Sequence, residues 1–278
     1  MNEPELWFTE RQTEHLSMGM RVSATLHTEQ TPYQNLAIYD TVQYGRLLVL
    51  DGCVMTTDAD EFVYHEMIAH VPLHTHPNPH SVLVVGGGDG GAVREVLKHP
   101  SVERVVLAEI DDRVVETAKE YFPAIAQGLT DPRVELQIGD GIRYVQDHPD
   151  EFDVILVDST DPVGPAVGLF QESFYQFISR ALKDDGIMVA QSESPFANQK
   201  IVRSMVQIAN RVFPQAFLYL ASIPTYPTGL WSFTLGTKKY HPLENLQPSR
   251  VEDTRYYSND VHRAAFALPP FVRQLTQG

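Results

Sequence analysis

Between Val82 and Gly91 the chain reads Val-Leu-Val-Val-Gly-Gly-Gly-Asp-Gly-Gly, and a helical pattern follows at once in Ala92, Val93, Val96 and Leu97. A β-branched run that stops at glycines and passes straight into a helix is a buried strand, a tight turn and a helix start. Glycine lets the backbone turn sharply there, take positive φ and come close to a ligand. Gly86, Gly88 and Gly91 satisfy G-x-G-x-x-G, a pattern shared by many nucleotide-binding folds. Asp89 narrows the choice, because a carboxylate repels a pyrophosphate at a helix N-terminus and welcomes a cation. The loop therefore favours a nucleoside ligand that carries positive charge over a dinucleotide.

The rest of the chain builds outward from that strand. Strands over 82–86, 104–109, 134–138, 153–158 and 187–191 alternate with helices over 90–98, 112–121, 141–147, 171–183 and 198–211. That alternation predicts a parallel sheet covered by helices on both faces. Phe217–Ser222 and Leu230–Gly236 predict an antiparallel end to the sheet, and the apolar stretch from Val261 to Leu275 a closing segment. Ahead of it all, residues 5 to about 57 read as β-hairpins with turn signals at Tyr44-Gly45 and Asp51-Gly52. A helix from Asp60 to His70, stopped by Pro72, follows. The expected division is an N-terminal β-hairpin domain over 1–58 and an α/β domain over 59–278.

A net charge of −15 argues against nucleic acid or an anionic membrane as partner. The N-terminal residues have neither the basic nor the apolar region of a signal peptide, and no apolar run reaches membrane-spanning length. One cysteine, Cys53, suits a reducing compartment. The expected location is the cytoplasm.

In an open parallel sheet, ligands bind at the carboxyl ends of the strands. Asp89, Glu109, Asp140-Gly141, the Asp158/Asp161 pair and Gln191 all fall at such ends, on one edge. Glu109, about twenty residues past the glycine loop, is placed to accept from ribose hydroxyls. Asp140 beside a glycine suits an adenine amino group. Two carboxylates three residues apart suit a primary ammonium or a base of tuned pKa. Any one of these acids also reads as a cap for the next helix; five at corresponding positions do not.

Taken together, Gly86-Gly-Gly-Asp-Gly-Gly91, Glu109-Ile-Asp111, Asp140-Gly141, Asp158-Ser-Thr-Asp-Pro162 and Ile223-Pro-Thr-Tyr-Pro227 resemble the spermidine synthases, polyamine aminopropyltransferases. Leu50-Asp-Gly52 and Asp60-Glu-Phe-Val-Tyr-His-Glu66 extend the resemblance, which runs from about Leu6 to the C-terminus. It implies a methyltransferase-like Rossmann fold behind a small antiparallel β domain, a homodimer or homotetramer, and no metal or prosthetic group. The co-substrate it implies is decarboxylated S-adenosylmethionine. Gln30, Gly86, Gly88, Asp89, Glu109, Asp140, Gly141 and Pro165 match positions that hold this donor and its methylthioadenosine product. His65, Asp158, Asp161 and Gln191 match positions that face the amine acceptor. Tyr64 and Tyr226 match tyrosines flanking the transferred group, and Asp158 matches the general base. Residues 159–170 correspond to a loop that orders over the substrates.

The physical chemistry agrees. The donor is a sulfonium whose aminopropyl arm ends in an ammonium, and Asp89 is suited to that ammonium and badly placed for a carboxylate. The acceptor diamine, with alkylamine pKa of about 10.4, must lose a proton before it attacks. Putrescine is the expected acceptor; cadaverine, agmatine or a longer polyamine are alternatives. Ordinary S-adenosylmethionine methyl transfer is disfavoured by Asp89 and the Asp158/Asp161 pair, and nicotinamide redox chemistry by the loop acid. A non-catalytic nucleoside or polyamine binder needs no proton acceptor. His65, His70, His74, His76 and His80 cluster in sequence, but their spacing fits no zinc signature, and three fall in a proline-rich connector. Glu193 reads either as an acceptor contact or as a solvated acid. Trp231 and Phe233 read as core or acceptor-pocket wall.

Overall fold

The computed structural model describes residues 5–161, 164–249 and 251–277, with Pro165 described by its backbone alone. Five strands, β1 (Leu6–Arg11), β2 (Ser17–Gln30), β3 (Asn35–Thr41), β4 (Gly45–Leu50) and β5 (Cys53–Thr57), pair in that order as an antiparallel meander. Asp51 and Gly52 join β4 to β5 with φ of 48° and 84°, the left-handed backbone that a two-residue hairpin turn favours. Strand β4 is buried on both faces. Leu48 and Leu50 pack with Val114, Phe122 and Ile125 of the following domain, while Leu47 and Val49 pack with Met20 and Val54. The small sheet is thereby fastened to the larger one.

Helix α1 (Glu61–Thr75) runs straight through Pro72, where the sequence predicts a stop. Pro72 has no N–H to offer, and a proline inside a helix costs about 3 kcal/mol. Burial outweighs that cost: Ile68, Val71 and Leu73 are all enclosed, and each contributes roughly 1.5–3 kcal/mol. The helix is hidden along nearly its whole length, so it carries no amphipathic signature. His74 consequently lies in this helix and not in a connector. It stands with His70 and His99 in a buried cluster, where His70 Nδ1 is 2.9 Å from His99 Nε2. Burial pushes His74 down to about 4 and His99 to about 2, so both rings are neutral.

The second sheet holds β6 (Ser81–Gly86), β7 (Arg104–Glu109), β8 (Val134–Ile138), β9 (Phe152–Asp158), β10 (Leu182–Gln191), β11 (Gln215–Ser222) and β12 (Leu230–Thr237). Its order is β11-β12-β10-β9-β6-β7-β8, with β8 to β10 parallel and β11 and β12 antiparallel at one end. Helices α2 (Gly91–Leu97), α3 (Asp112–Tyr121), α4 (Pro123–Ala126), α5 (Gly141–Asp147), α6 (Glu172–Ala181) and α7 (Gln199–Val212) cover it. Strand β10 starts five residues before its apolar run. Leu182 pairs with Phe152, the chain bulges, and Ile187 resumes the ladder opposite Val154. Lys183 in the bulge reaches Asp153 at 3.0 Å, which holds the irregular segment in place.

The tail folds as α8 (Asn259–Ala265) and α9 (Pro270–Arg273), with Val272 and Leu275 packed on Val202, Val206 and Leu218. Among the described residues no helix is long and apolar enough to cross a membrane.

Candidate active site

Strand order reverses between β6 and β9, and the crevice expected there opens at their carboxyl ends. The N-terminal sheet on one side and Tyr226–Trp231 on the other narrow it to a cavity of about 270 Å³. Among the described side chains, every residue assigned above to donor, acceptor or catalysis lines this cavity except Gln30. Gln30 is the last residue of β2 and is exposed, its amide donating to the Thr31 carbonyl at 3.1 Å. The Thr31 hydroxyl then caps a turn that swings Gln34 inward, where its amide donates to Asp111 at 2.8 Å. Gln34, and not the Gln30 expected from the sequence, is therefore the glutamine that lines the cavity. The Pro165 side chain, with Pro162 and Val163 of the predicted substrate loop, lies outside the described residues; Ala166 and Leu169 from the same segment do line the cavity.

The half expected to take the donor begins at the glycine loop. Glu109 ends β7 and accepts from the Gly88 and Asp111 amides at 3.1 and 2.9 Å. Burial pushes its carboxyl up to about 7. Asp140 does cap α5, accepting from Ile142 N–H at 2.8 Å, while still lining the cavity. Asp89 accepts from Gly91 N–H at 2.8 Å and from the Thr56 hydroxyl at 2.9 Å, and His65 Nε2 lies 3.4 Å away. Burial opposes its charge, yet His65 and these donors hold Asp89 below the usual carboxylate range. Thr56 belongs to β5, so the N-terminal sheet shares in shaping the glycine loop.

At the centre, Tyr64 on α1 donates to Asp158 Oδ1 at 2.6 Å. Asp158 Oδ2 is buried with no partner among the described residues. Burial, and then the nearby Asp89, raise Asp158 to about 6. The rings of Tyr64 and Tyr226 stand 5.6 Å apart, and the Tyr226 hydroxyl is anchored on the Met55 carbonyl at 2.7 Å.

Beyond Asp158 the wall turns acidic and aromatic. Gln191 is tied to backbone, donating to Ser159 O at 3.2 Å and accepting from Glu193 N–H at 3.1 Å. Glu193 is fully buried, not solvated; Asn198 donates to one oxygen at 2.6 Å and the other has no partner among the described residues. Its φ of 68° is a left-handed conformation that a non-glycine residue holds only when its surroundings impose it. Burial, followed by Asp161, pushes Glu193 up to about 8. Glu10 was not singled out from the sequence. It lies on β1, buried, with an Oε2 that has no partner among the described residues and a carboxyl pushed up by burial to about 7. The signal for it was present: Leu6, Phe8 and Glu10 alternate on one face of a strand, and an acid among apolar residues there needs a partner.

Comparisons with known proteins point one way. A family model described as the spermidine synthase tetramerisation domain matches residues 6–58, and the spermine/spermidine synthase domain matches residues 61–247. A polyamine aminopropyltransferase of Thermoanaerobacter sp. (strain X514) is 59% identical over 98% of both chains. One from Bacillus cytotoxicus is 55% identical over 98% of this chain and 99% of its own. A spermidine synthase solved with the transition-state analogue AdoDATO superposes with a TM-score of 0.95 at 42% identity, covering 98% of this chain and 94% of that one. The spermidine synthase of Thermotoga maritima superposes at 0.92 with 40% identity and the same coverage.

Proposed function

The chain belongs to the spermine/spermidine synthase family of polyamine aminopropyltransferases, and from that premise we propose that it moves the aminopropyl group of decarboxylated S-adenosylmethionine to putrescine. Spermidine and 5′-methylthioadenosine are the products. The observation that carries this reading is the Asp158 carboxylate: one oxygen is tied to Tyr64, the other is buried with no partner among the described residues, and it shares the cavity with Asp89, Asp161 and Glu10.

In this reading Glu109 and Asp140 hold the nucleoside, with Gln34 beside them. Asp89 takes the ammonium of the aminopropyl arm. The putrescine amine that reacts loses its proton to Asp158 and attacks the carbon next to sulfur, and the sulfonium leaves as a neutral thioether. No charge has to be created on the leaving group, so orientation and charge placement supply the catalysis. Product analysis tests the reading. With decarboxylated S-adenosylmethionine, the putrescine reaction is expected to yield spermidine and methylthioadenosine, and cadaverine, agmatine and spermidine to react more slowly. Turnover with one of those amines alone would change the acceptor; donor binding without any turnover would leave only a binder.

The second ammonium of putrescine is assigned to Glu193 and Glu10. Glu193, fully buried beside the cavity-lining Gln191, is pushed up to about 8 and so is largely protonated at neutral pH, whereas a bound dication favours its charged form. The KM for putrescine is therefore expected to fall as pH rises through about 8, and Glu193→Gln to raise that KM and flatten its pH dependence with donor KM unchanged. Equal effects on both KM values would remove Glu193 from the acceptor subsite. Residues 1–58 are assigned to assembly as a homodimer or homotetramer, in line with the tetramerisation model matched there and with the exposed Leu6, Trp7 and Val42. A monomer by light scattering at assay concentration would contradict this.

A further inference from the structure

His65 is claimed by a carboxylate on each side. Its Nδ1 lies 2.5 Å from Glu61 Oε2, one turn back on α1, and its Nε2 lies 3.4 Å from Asp89 Oδ2. A neutral imidazole owns a single N–H, so one of those contacts would set a lone pair against a carboxylate; only the imidazolium has a donor for both. The ring is 2% exposed, and a Cβ on Gly91 would fall 2.2 Å from it, so it is boxed in by the glycine loop itself. Glu61 is fixed in turn by Arg94 of α2, whose two terminal nitrogens reach its two oxygens at 3.1 and 2.9 Å. Arg94, Glu61, His65 and Asp89 thus form a buried row of alternating charge. The groups facing the ring are Glu61 and Tyr64 from α1, Asp89 from the loop after β6, and, further off, Asp158 at the end of β9.

We propose that His65 is a permanent imidazolium and the positioning residue of this site, the fixed cation that keeps Asp89 and Asp158 both ionised at neutral pH. Two carboxylates buried close together otherwise favour holding a proton between them. The surroundings act in that sense. Burial works against the charge on His65, but Asp89 and Glu61 outweigh it and hold the ring protonated well above the ordinary histidine range, while His65 lowers Asp158. Both ring nitrogens are already engaged by carboxylates, so His65, which the sequence places facing the acceptor, acts through Asp89 and Asp158 and not by touching the amine itself.

The proposal deepens the aminopropyl-transfer reading, on which its kinetic test rests; its spectroscopic test does not depend on activity. In full-length protein carrying nitrogen-15 histidine, the His65 signals are identified by their loss in His65→Gln. Both ring nitrogens are expected to stay protonated well above the ordinary histidine range, because Asp89 and Glu61 favour the charged ring. A ring with one bare nitrogen at neutral pH overturns the proposal, as does a titration near the ordinary histidine value of about 6.5.

In kinetics, His65→Gln is expected to move the acid limb of kcat/KM upward by about one pH unit or more, since the cation that favours ionised Asp158 is gone. An unmoved limb also overturns it. Should His65→Gln fail to fold, Glu61→Gln keeps the ring and removes one carboxylate. Its His65 is then expected to titrate within the accessible range, and a ring that stays doubly protonated there overturns the two-carboxylate lock. Wild-type protein without aminopropyl transfer would sink the functional reading and leave the spectroscopic result standing.

Discussion

Asp158→Asn is expected to lower kcat by about 10²–10⁴-fold while leaving donor affinity close to that of the unaltered chain. The substitution is nearly isosteric, and the asparagine oxygen can still accept from Tyr64 at the position Asp158 Oδ1 now occupies. What disappears is the anion. The buried Oδ2, partnerless among the described residues, is the atom that would take the amine proton, and an amide in its place has no basic site to offer. A loss of that size corresponds to about 3–5 kcal/mol of transition-state stabilisation.

The pH profile sharpens the test. With Asp158 raised to about 6, kcat/KM of the unaltered enzyme should climb with pH through that value, because the base works only when deprotonated. The Asn variant should lose that limb. Tyr64→Phe should instead keep most of kcat and move the limb upward, since the tyrosine hydroxyl favours the charged carboxylate. If Asp158→Asn keeps more than about a tenth of its activity, the proton leaves by another route and the role assigned to Asp158 is wrong.

How much of this was legible in the sequence follows from what each signal depends on. The glycine loop and the acids at strand ends were readable because strand-loop-helix repetition fixes which end of each strand faces the ligand; Asp89, Glu109 and Asp158 needed no tertiary knowledge. Gln30 and Gln34 differ by one turn of irregular backbone. Choosing between them required the Thr31 turn, which no periodicity reveals. Glu10 was half legible: its alternation with Leu6 and Phe8 marks an acid in need of a partner, but nothing local in β1 says that this sheet folds over the far crevice. Helix α1 inverted a local rule. Pro72 predicts a stop, but burial on every side is a tertiary quantity that overrides a one-residue penalty. Glu61 looked like an ordinary first-turn acid; its partnership with His65 and Arg94 depends on α2 packing across α1.

The backbone of the glycine loop predicts the largest effect on the fold. Gly86 has a φ of +77°, and a Cβ there would stand 2.2 Å from the carbonyl oxygen of Asp158 and 3.0 Å from its carbonyl carbon. Strand β6 pairs with β9 in register, Gly86 opposite Asp158. The obstacle is therefore main chain in a ladder, not the movable tip of a side chain. Gly86→Ala thus meets two costs: about 1–2 kcal/mol for a left-handed alanine, and about 1–3 kcal/mol or more for forcing the strand ends apart. A sum of about 2–5 kcal/mol is a large share of the 5–15 kcal/mol that holds a typical domain together. At roughly 2–4 °C per kcal/mol for a chain of this size class, Tm is expected to fall by about 5–15 °C.

Gly52→Ala separates the two costs. Gly52 has a φ of +84° but no heavy atom within 4 Å of the added carbon, so only the conformational penalty applies and the fall should stay within a few degrees. Donor binding divides them further. Spreading β6 from β9 displaces Asp158 and the loop that carries Asp89, so Gly86→Ala should lose donor affinity even where it stays folded, whereas Gly52→Ala should keep it. Equal melting temperatures for the two variants would mean that the β6–β9 junction yields more easily than its close approach implies.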